Sequence, residues 1–181
     1  MATLRIEETT IPEVKIITPP RFADERGFFQ ETWNRRALAE FGIHTDFVQD
    51  NHSLSDRIGT LRGLHFQSGD APQAKLVRVV RGAIFDVAVD IRAASPTFGR
   101  WVSAVISQKE GNQIFVPRGF AHGFCTLEPE TEVVYKVDAY YAPEHDKGII
   151  WNDPFLSIDW PGCADPSTLS AKDRALPRLG D

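Results

Sequence analysis

Hydrophobic and polar residues alternate along the second half of the chain. In the run IFDVAVDIR, apolar residues take every second position from Phe85 to Ile91, and Asp86, Ala88 and Asp90 stand between them. A period of two is typical of a β-strand, because successive side chains point to opposite faces of a sheet. The run therefore predicts an antiparallel strand with one apolar and one polar face.

Similar runs follow one another from Lys75 onward. Clusters of Gly, Pro, Asn and Ser separate them, and they read KLVRVV, WVSAVIS, NQIFVP and TEVVYKV. Short strands with a turn signal every ~8 to 12 residues predict an all-β sandwich or jelly roll rather than a doubly wound fold. The one strong helical segment is NRRALAEFG, with Asn34 as N-cap, Leu38 and Phe41 at helical spacing, and Gly42 just past the end.

Length and composition favour one domain. The 181 residues, 42% of them hydrophobic, suffice for a single full core, and no apolar run reaches the ~18 residues of a membrane span. The tail, residues 154–181, is rich in Pro, Gly, Ser and Asp, and we expect it to wrap the surface. The expectation is one domain over residues 1–181, all-β, with one or a few short peripheral helices.

Charge and cysteine content narrow the function classes. A net charge of −5 without a Lys/Arg run argues against a nucleic-acid partner. Cys125 and Cys163 are too few for a disulfide framework, and acidic residues interrupt the N-terminal stretch where a signal peptide would be apolar. We expect a soluble, cytoplasmic protein with no membrane partner, in which local arginines would have to bind any anionic ligand.

The segment GTLRGLHFQ, residues 59–67, places an arginine three residues before a histidine. It is too short for a helix and looks too polar for a buried strand. Arg62 and His65 there suggest a binding or catalytic site. For the segment alone, a basic turn whose histidine satisfies a buried carbonyl is the simpler interpretation.

Two spacings resemble the motifs of the cupin superfamily. GNQIFVPRGFAH fits G-x5-P-x-G-x2-H and ends on His122, while Gly59 followed by five residues and His65 fits the start of the first cupin motif. Metal-binding cupins continue that motif with a second histidine and a glutamate, but Gln67 and Lys75 stand at those positions here. A cation at a ligand position opposes a divalent metal, so we predict no metal site.

The cupin resemblance implies a jelly-roll barrel around a cavity. His65, Lys75 and His122 would line it, and these groups suit proton transfer and anion stabilisation. Two core histidines in a barrel without activity would fit the same motifs.

Several longer blocks occur in the same order as in one metal-free cupin family. They read DERGFFQETWN, QDNHSLS, GTLRGLHFQ, KLVRVVRGAIFDVAVDIRAASPTFGRW, PRGFAHGF, VVYKVDAYYAPEHDKGIIWNDP and LSAKD. Together they resemble the dTDP-4-dehydrorhamnose 3,5-epimerase family over nearly the whole chain. The resemblance implies cofactor-free epimerisation at C3 and C5 of dTDP-4-dehydro-6-deoxy-D-glucose to dTDP-4-dehydro-L-rhamnose, in dTDP-L-rhamnose biosynthesis.

Inverting a carbon next to a ketone requires a base, a group that stabilises the enolate, and an acid on the opposite face. His65 suits the base because histidine is largely neutral near pH 7, and Lys75 can place its charge beside the enolate oxygen. Tyr135 shares a strand face with two valines, so its hydroxyl can point into the cavity, although a plain core tyrosine fits that pattern too. The resemblance assigns Tyr135 as the proton donor and Asp173 as the carboxylate that orients His65.

The resemblance also implies a set of substrate contacts. Guanidinium groups bind pyrophosphate in bidentate fashion, and Arg26 and Arg62 lie in blocks that contact substrate in the family. Phe29 would stack on thymine and Glu31 would accept from its imide. The other expected contacts are Gln49, Asp50, Asn51, Lys75, His122 with Asp86 as its partner, Lys172, and Asp146, which stands where the family more often has glutamate.

Assembly and exact activity rest on the resemblance alone. It implies a homodimer in which the N-terminal segment, residues 1–50, reaches across to the neighbour's site. An epimerase that inverts only C3 or C5, or that uses another 4-ketosugar nucleotide, would share most of these residues. A metal-dependent cupin oxygenase or isomerase, and a nucleotide-sugar binder without catalysis, are the alternatives from other classes.

Overall fold

Two antiparallel sheets form the body of the protein, as the jelly-roll prediction requires. The computed structural model describes residues 3–180, so Met1, Ala2 and Asp181, at the ends of the predicted domain, lie outside the described residues. The larger sheet has six strands, in spatial order β1 (Arg5–Glu8), β2 (Lys15–Thr18), β10 (Gln113–Val116), β7 (Lys75–Arg81), β12 (Thr131–Val137) and β5 (Gln49–Ser55).

The smaller sheet faces the larger one across the core. Its five strands are, in spatial order, β13 (Asp146–Gly148), β6 (Leu61–Gln67), β11 (Phe120–Thr126), β8 (Ala83–Asp90) and β9 (Trp101–Ser107). Between the sheets lies a buried apolar cluster that includes Val77, Ile84, Ile114, Phe120 and Val133. The strands predicted from Lys75 onward are confirmed as β7, β8, β9, β10 and β12.

A separate hairpin precedes the first helix. It consists of β3 (Arg21–Asp24) and β4 (Gly27–Gln30), which pair only with each other. Phe22, Phe28 and Phe29 are all exposed on it. The hairpin therefore presents large apolar side chains outside the core of its own chain.

The alternation predicted for β8 is correct, but its second face is not a solvent face. Asp86 and Asp90 are fully buried, and Ala88 packs into the core between the sheets. Val87 and Val89 point the other way and are covered by residues of the tail. Both faces are buried, because the polar face of this strand lines the barrel interior.

The prediction that residues 59–67 are too polar for a buried strand is wrong. Seven of them, Leu61–Gln67, form β6 between β13 and β11. Leu61 and Leu64 are buried on the outer side under the tail, while the polar residues face the barrel interior. In the sequence, a strand whose polar side faces inward has the same pattern of residues as an exposed segment.

Gly63 breaks the regular alternation of β6. Its φ is +106°, and a Cβ there would lie 2.7 Å from the carbonyl oxygen of His122 and 2.8 Å from the Cα of Gly123. The pairing of β6 with β11 also shifts register between His122 and Phe124. In a regular strand residues three apart point to opposite faces, so this irregularity is what lets Arg62 and His65 face the same cavity.

The predicted helix is confirmed but short. It is α1 (Arg35–Ala39), and the side chain of Asn34 accepts from the backbone N–H groups of Arg36 and Ala37 at 3.0 and 3.2 Å. Leu38 is buried, but Phe41 is exposed, contrary to the predicted spacing, because the helix has already ended. Among the described residues, no helix has the length and apolar character needed to span a membrane.

The tail lies across the outer face of the smaller sheet. Leu156 packs on Leu64 and Val87, and Leu169 packs on Leu61. The tail contains a 3-10 turn, Pro166–Thr168, followed by α2 (Ala171–Arg174), whose N-cap Ser170 accepts from the backbone N–H of Asp173 at 3.0 Å. This course brings the end of the chain back to the barrel cavity.

Candidate active site

Most of the predicted catalytic and binding side chains line one cleft between the sheets. The cleft has two lobes, of about 280 and 310 Å³, that share His65, Lys75, Tyr135 and Lys172. The first lobe adds Gln49, Asn51 and Asp146, and the second adds Arg62, His122 and Asp173. Residues from strands of both sheets and from the tail therefore meet in one place.

His65 and Asp173 form a close pair. The Nε2 atom of His65 lies 2.6 Å from Oδ1 of Asp173, and the carboxylate is buried while the imidazole is partly open to the cleft. Burial acts to raise the pKa of Asp173, but the hydrogen bond and charge of His65 and the capping contact with Ser170 outweigh it, so the pKa lies below its ordinary value. An ionised Asp173 holds the proton on Nε2 and leaves Nδ1 as the basic nitrogen.

Tyr135 faces the cleft from the opposite sheet. It lies on β12 of the larger sheet, whereas His65 lies on β6 of the smaller one. Burial raises the pKa of Tyr135, the positive charge of Arg62 opposes this rise, and the carboxylate of Asp146 adds to it. Tyr135 is therefore a protonated phenol at neutral pH and is able to donate.

Arg62 reaches the same lobe from β6. Its Nε donates to Oγ of Ser55 at 3.0 Å and its Nη2 donates to the carbonyl oxygen of Leu54 at 2.9 Å. Both acceptors belong to the end of β5, so the guanidinium bridges the two sheets. This leaves the planar group fixed beside the cleft with its charge available to an anion.

Lys75 lies inside the cavity that holds His65. The residue is 9% exposed, and its Nζ donates to the backbone carbonyl of His65 at 3.3 Å. Burial lowers the pKa of Lys75 to about 8, against the opposing effect of the carboxylates of Asp86 and Asp146. At neutral pH the side chain is thus a largely protonated cation in a poorly solvated site.

His122 has the partner that the sequence suggested. Its Nε2 lies 3.0 and 2.9 Å from the two carboxylate oxygens of Asp86, and both residues are buried. The Cα of His122 on β11 is paired with that of His65 on β6. The two histidines therefore lie side by side on neighbouring strands, and each is paired with an aspartate.

A chain of polar contacts lines the first lobe, which we call the outer lobe. Asp146 accepts hydrogen bonds from the ammonium of Lys172 and, at 2.9 Å, from the hydroxyl of Tyr141. Burial acts to raise the pKa of Asp146, but the bonds from Lys172 and Tyr141 lower it further than burial raises it. Asp146 thus lies in the cleft as an ionised group that already has two partners.

Four predicted contacts do not reach this cleft. Arg26 is paired with Asp24 on the hairpin and its side chain is 84% exposed, and Phe29 is 68% exposed beside a separate recess at the base of the hairpin. The Glu31 carboxylate accepts from Asn34 Nδ2 at 3.0 Å. Asp50 lies on the other face of β5, where Lys136 Nζ donates to it at 2.8 Å.

The two positions that depart from the metal-binding cupin pattern have other partners. Gln67 uses both ends of its amide on backbone groups, and Lys75 places a positive charge in the cavity. Within residues 3–180, His, Cys, Asp and Glu side chains form no group of three that could hold a metal ion.

Tyr141 and Gln67 are among the cleft residues that the sequence analysis did not assign to the site. Tyr141 and Gln67 both line the outer lobe. Tyr141 stands inside a block that resembles the epimerase family, and Gln67 occupies a cupin ligand position. The sequence therefore gave a reason to consider each position, but neither a tyrosine phenol nor a glutamine amide by itself indicates a functional residue.

Comparisons with known proteins identify the family. Residues 8–181 match the family model described as dTDP-4-dehydrorhamnose 3,5-epimerase. A protein of that name from Sinorhizobium fredii is 51% identical over 177 residues, which are 96% of this chain and 88% of the relative.

Solved structures give the same result. A dTDP-4-dehydrorhamnose 3,5-epimerase from Bacillus anthracis with TDP and PPi bound superposes with a TM-score of 0.94 at 49% identity, covering 98% of this chain and all of that one. A dTDP-6-deoxy-D-glucose-3,5-epimerase from Legionella pneumophila in complex with dTDP-4-keto-L-rhamnose gives 0.91 at 47% identity, over 97% and 93% of the two chains. The fold, the blocks and the relatives agree, and the chain belongs to the dTDP-4-dehydrorhamnose 3,5-epimerase family.

Proposed function

We propose that the protein inverts C3 and C5 of dTDP-4-dehydro-6-deoxy-D-glucose and releases dTDP-4-dehydro-L-rhamnose. Both carbons flank the C4 ketone, so each carries an acidic proton. The observation that carries the proposal is that His65, with its ionised partner Asp173, and Tyr135 enter one cleft from opposing sheets. A base on one side and an acid on the other is the arrangement that an inversion needs.

Each inversion is a proton removal followed by a proton return. Nδ1 of His65 takes the proton from the carbon next to the ketone, and the electron pair moves to the C4 oxygen as an enolate. Tyr135 then gives its phenolic proton to the opposite face of the same carbon, and the ketone is restored. Proton exchange with water returns His65 to the imidazole and Tyr135 to the phenol before the second inversion. The two steps exchange protons only, so the reaction requires no redox cofactor.

Lys75 stabilises the enolate. Its ammonium is buried in the same cavity, where low solvation strengthens its interaction with a negative oxygen. The positive charge of Lys75 is already present before the reaction begins, so the site need not reorganise as the enolate forms.

The nucleotide part of the substrate lies along the cationic side of the cleft. We assign the pyrophosphate to Arg62 and Lys172 because both cations line it. Gln49, Asn51 and His122 supply further hydrogen-bonding groups in the same cleft. Asp146 holds Lys172 in place, and this is its proposed contribution to substrate binding.

Arg26, Phe29 and Glu31 act on the site of a second copy of the chain. They lie outside their own cleft, on or just after a hairpin that exposes three phenylalanines, and apolar surface of this kind is typical of an interface. The proposed assembly is the homodimer that the family resemblance implies.

The free thiols Cys125 and Cys163 fit the reducing cytoplasm expected from the sequence.

Proton NMR in D₂O tests the proposal. With dTDP-4-dehydro-6-deoxy-D-glucose, the wild type is expected to place deuterium at both C3 and C5 and to form the L-rhamno product. His65→Ala should lose exchange at both carbons. Label at only one carbon would identify a mono-epimerase, and no label with tight substrate binding would identify a binding protein.

A further inference from the structure

Tyr141 stands at the mouth of the cleft on a segment that belongs to neither sheet. This segment, residues 138–142, joins β12 to the 3-10 turn Pro143–His145. The Tyr141 ring is 55% exposed, and its hydroxyl donates to Asp146, which in turn holds Lys172. The position of this ring therefore affects both the opening of the cleft and the cation assigned to the pyrophosphate.

Side-chain amides, rather than strand pairing, hold this segment. Gln73 Nε2 donates to the carbonyl of Ala139 at 2.7 Å, and Gln49 Oε1 accepts from the backbone N–H of Tyr141 at 3.1 Å. The most buried of the anchors is Gln67, which is 7% exposed at the end of β6.

Gln67 binds the backbone on both sides of Tyr141. Its Oε1 accepts from the N–H of Ala142 at 2.8 Å, and its Nε2 donates to the carbonyls of Ala71 at 2.7 Å and Tyr140 at 3.3 Å. Both amide protons and the carbonyl oxygen are thus used. Removing the amide would take away the bonds to the backbone of Tyr140 and Ala142, so the segment around Tyr141 would be held less firmly at the mouth of the cleft.

We propose that Gln67 is a positioning residue: it fixes the backbone around Tyr141, holds that ring at the mouth of the cleft, and thereby sets the affinity for the dTDP-sugar without taking part in proton transfer. The inference rests on the proposed function, since it concerns the same substrate. It also gives a role to the side chain that stands where metal-binding cupins have a histidine.

A double-mutant cycle of Gln67→Met, Tyr141→Ala and the combined variant tests this. If Gln67 acts through Tyr141, each single variant should raise KM about tenfold or more with kcat within about threefold, and the double variant should be no worse than the worse single one. If Gln67 only supports the barrel, the two effects on KM would add, or kcat would fall with KM unchanged. Either result would overturn the proposal.

Two further variants keep the test decisive. Gln67→Glu keeps the acceptor and the size of the side chain but loses both donors, and it replaces Gln67→Met if that variant does not fold. Thr131→Val removes another buried side-chain bond, from Thr131 Oγ1 to the carbonyl of Glu128 at 2.8 Å, outside the cleft. It should lower the melting temperature while leaving KM as in the wild type.

Failure of the proposed function would be recognised separately. If the wild type does not epimerise the sugar, calorimetric Kd values for dTDP replace KM in the same cycle. Coupled losses of dTDP affinity would still support the positioning role, and additive losses would refute it.

Discussion

His65 and Tyr135 face one cavity from the two opposing sheets of the barrel. His65 lies on β6 of the smaller sheet and Tyr135 on β12 of the larger, and both line the two lobes of the cleft. A sugar ring bound between the sheets would present one face to each residue. The relationship separates the two halves of the reaction in one direction: loss of Tyr135 should spare proton removal by His65, whereas loss of His65 should abolish both halves because no enolate forms.

Tyr135→Phe should keep proton removal and lose inversion. Deuterium from solvent should still enter at C3 and C5, since His65 is intact, but formation of the L-rhamno product should fall by about 10² to 10⁴-fold. NMR in D₂O measures both on one sample. Tyr140→Phe is the matched control, because Tyr140 is exposed outside the cleft, and it should behave as wild type. Unchanged product formation by Tyr135→Phe would remove Tyr135 from the mechanism.

Asp173→Asn should disable the base while preserving the packing of the tail. An amide in place of the carboxylate can support the wrong tautomer of His65, and kcat should fall by about 10² to 10⁴-fold. Asp165→Asn, in the same tail but outside the cleft, should leave kcat near the wild-type value. Wild-type turnover by Asp173→Asn would contradict the proposed orientation of His65.

The same substitution should change stability in acid. The pKa of Asp173 is lower in the folded protein than its ordinary 3.8, so its contribution is present above that pH and is lost as the pH falls through the folded value. Asp173→Asn removes the contribution at all pH values. The difference in unfolding free energy between wild type and variant, measured in urea, should therefore shrink below about pH 4.

Lys75 should make activity and stability change in opposite directions above neutral pH. Its pKa is lowered from 10.5 to about 8 by burial, so kcat should fall as the pH rises through about 8 and the ammonium is lost. The unfolded chain binds this proton more tightly than the folded protein between those two values. Stability should therefore rise with pH across that window, by on the order of 3 kcal/mol at most.

Lys75→Met isolates this effect from other groups that titrate at high pH. The variant should lack the stability rise that depends on Lys75, and its kcat should be lower by about 10² to 10³-fold at pH 7. Urea denaturation and pH–rate profiles of both proteins give the comparison. A wild type whose stability relative to Lys75→Met stays flat between pH 8 and 10 would refute the assignment of a depressed pKa.

The sequence predicted β7, β8, β9, β10 and β12 because the composition and alternation of a strand are local properties. It predicted their environment less well: it placed Asp86 and Asp90 on a polar face, and both are fully buried, Asp86 beside His122 and Asp90 in contact with Arg92. Residues 59–67 were misjudged for the same reason. In most sheets a polar face is exposed to water, but here one polar face lines a cavity.

The residues of the site come together through contacts between distant parts of the chain, and no local sequence pattern encodes such contacts. His65 and Asp173 are 108 positions apart, and only the family resemblance connected them before the structure. Arg62 and His65 share a cavity because of the irregular backbone at Gly63, which strand periodicity alone would have excluded. Gln67 and Tyr141 were missed because their importance lies in backbone hydrogen bonds and in placement at the rim.

The proposed dimer predicts that an impaired variant and an inactive variant complement one another. Arg26→Ala should raise KM about tenfold or more by weakening pyrophosphate binding, and His65→Asn should be inactive. If Arg26 serves the partner's cleft, a mixed dimer has one site with both defects and one site with neither. Random reassortment of equal amounts makes about half of the dimers mixed, so about one quarter of wild-type activity should return at low substrate concentration.

Pairing His65→Asn with Arg62→Ala is the matched control, because Arg62 and His65 line the same cleft of one chain. Each site of that mixed dimer lacks one residue, and no activity should return. The two mixtures differ only in whether the arginine lies on the hairpin or in the barrel. Recovery in the first mixture alone would therefore place Arg26 at the partner's site, because subunit exchange itself is common to both. Equal failure of both mixtures, with exchange verified by mass spectrometry of tagged subunits, would mean that the hairpin acts within its own chain or not at all.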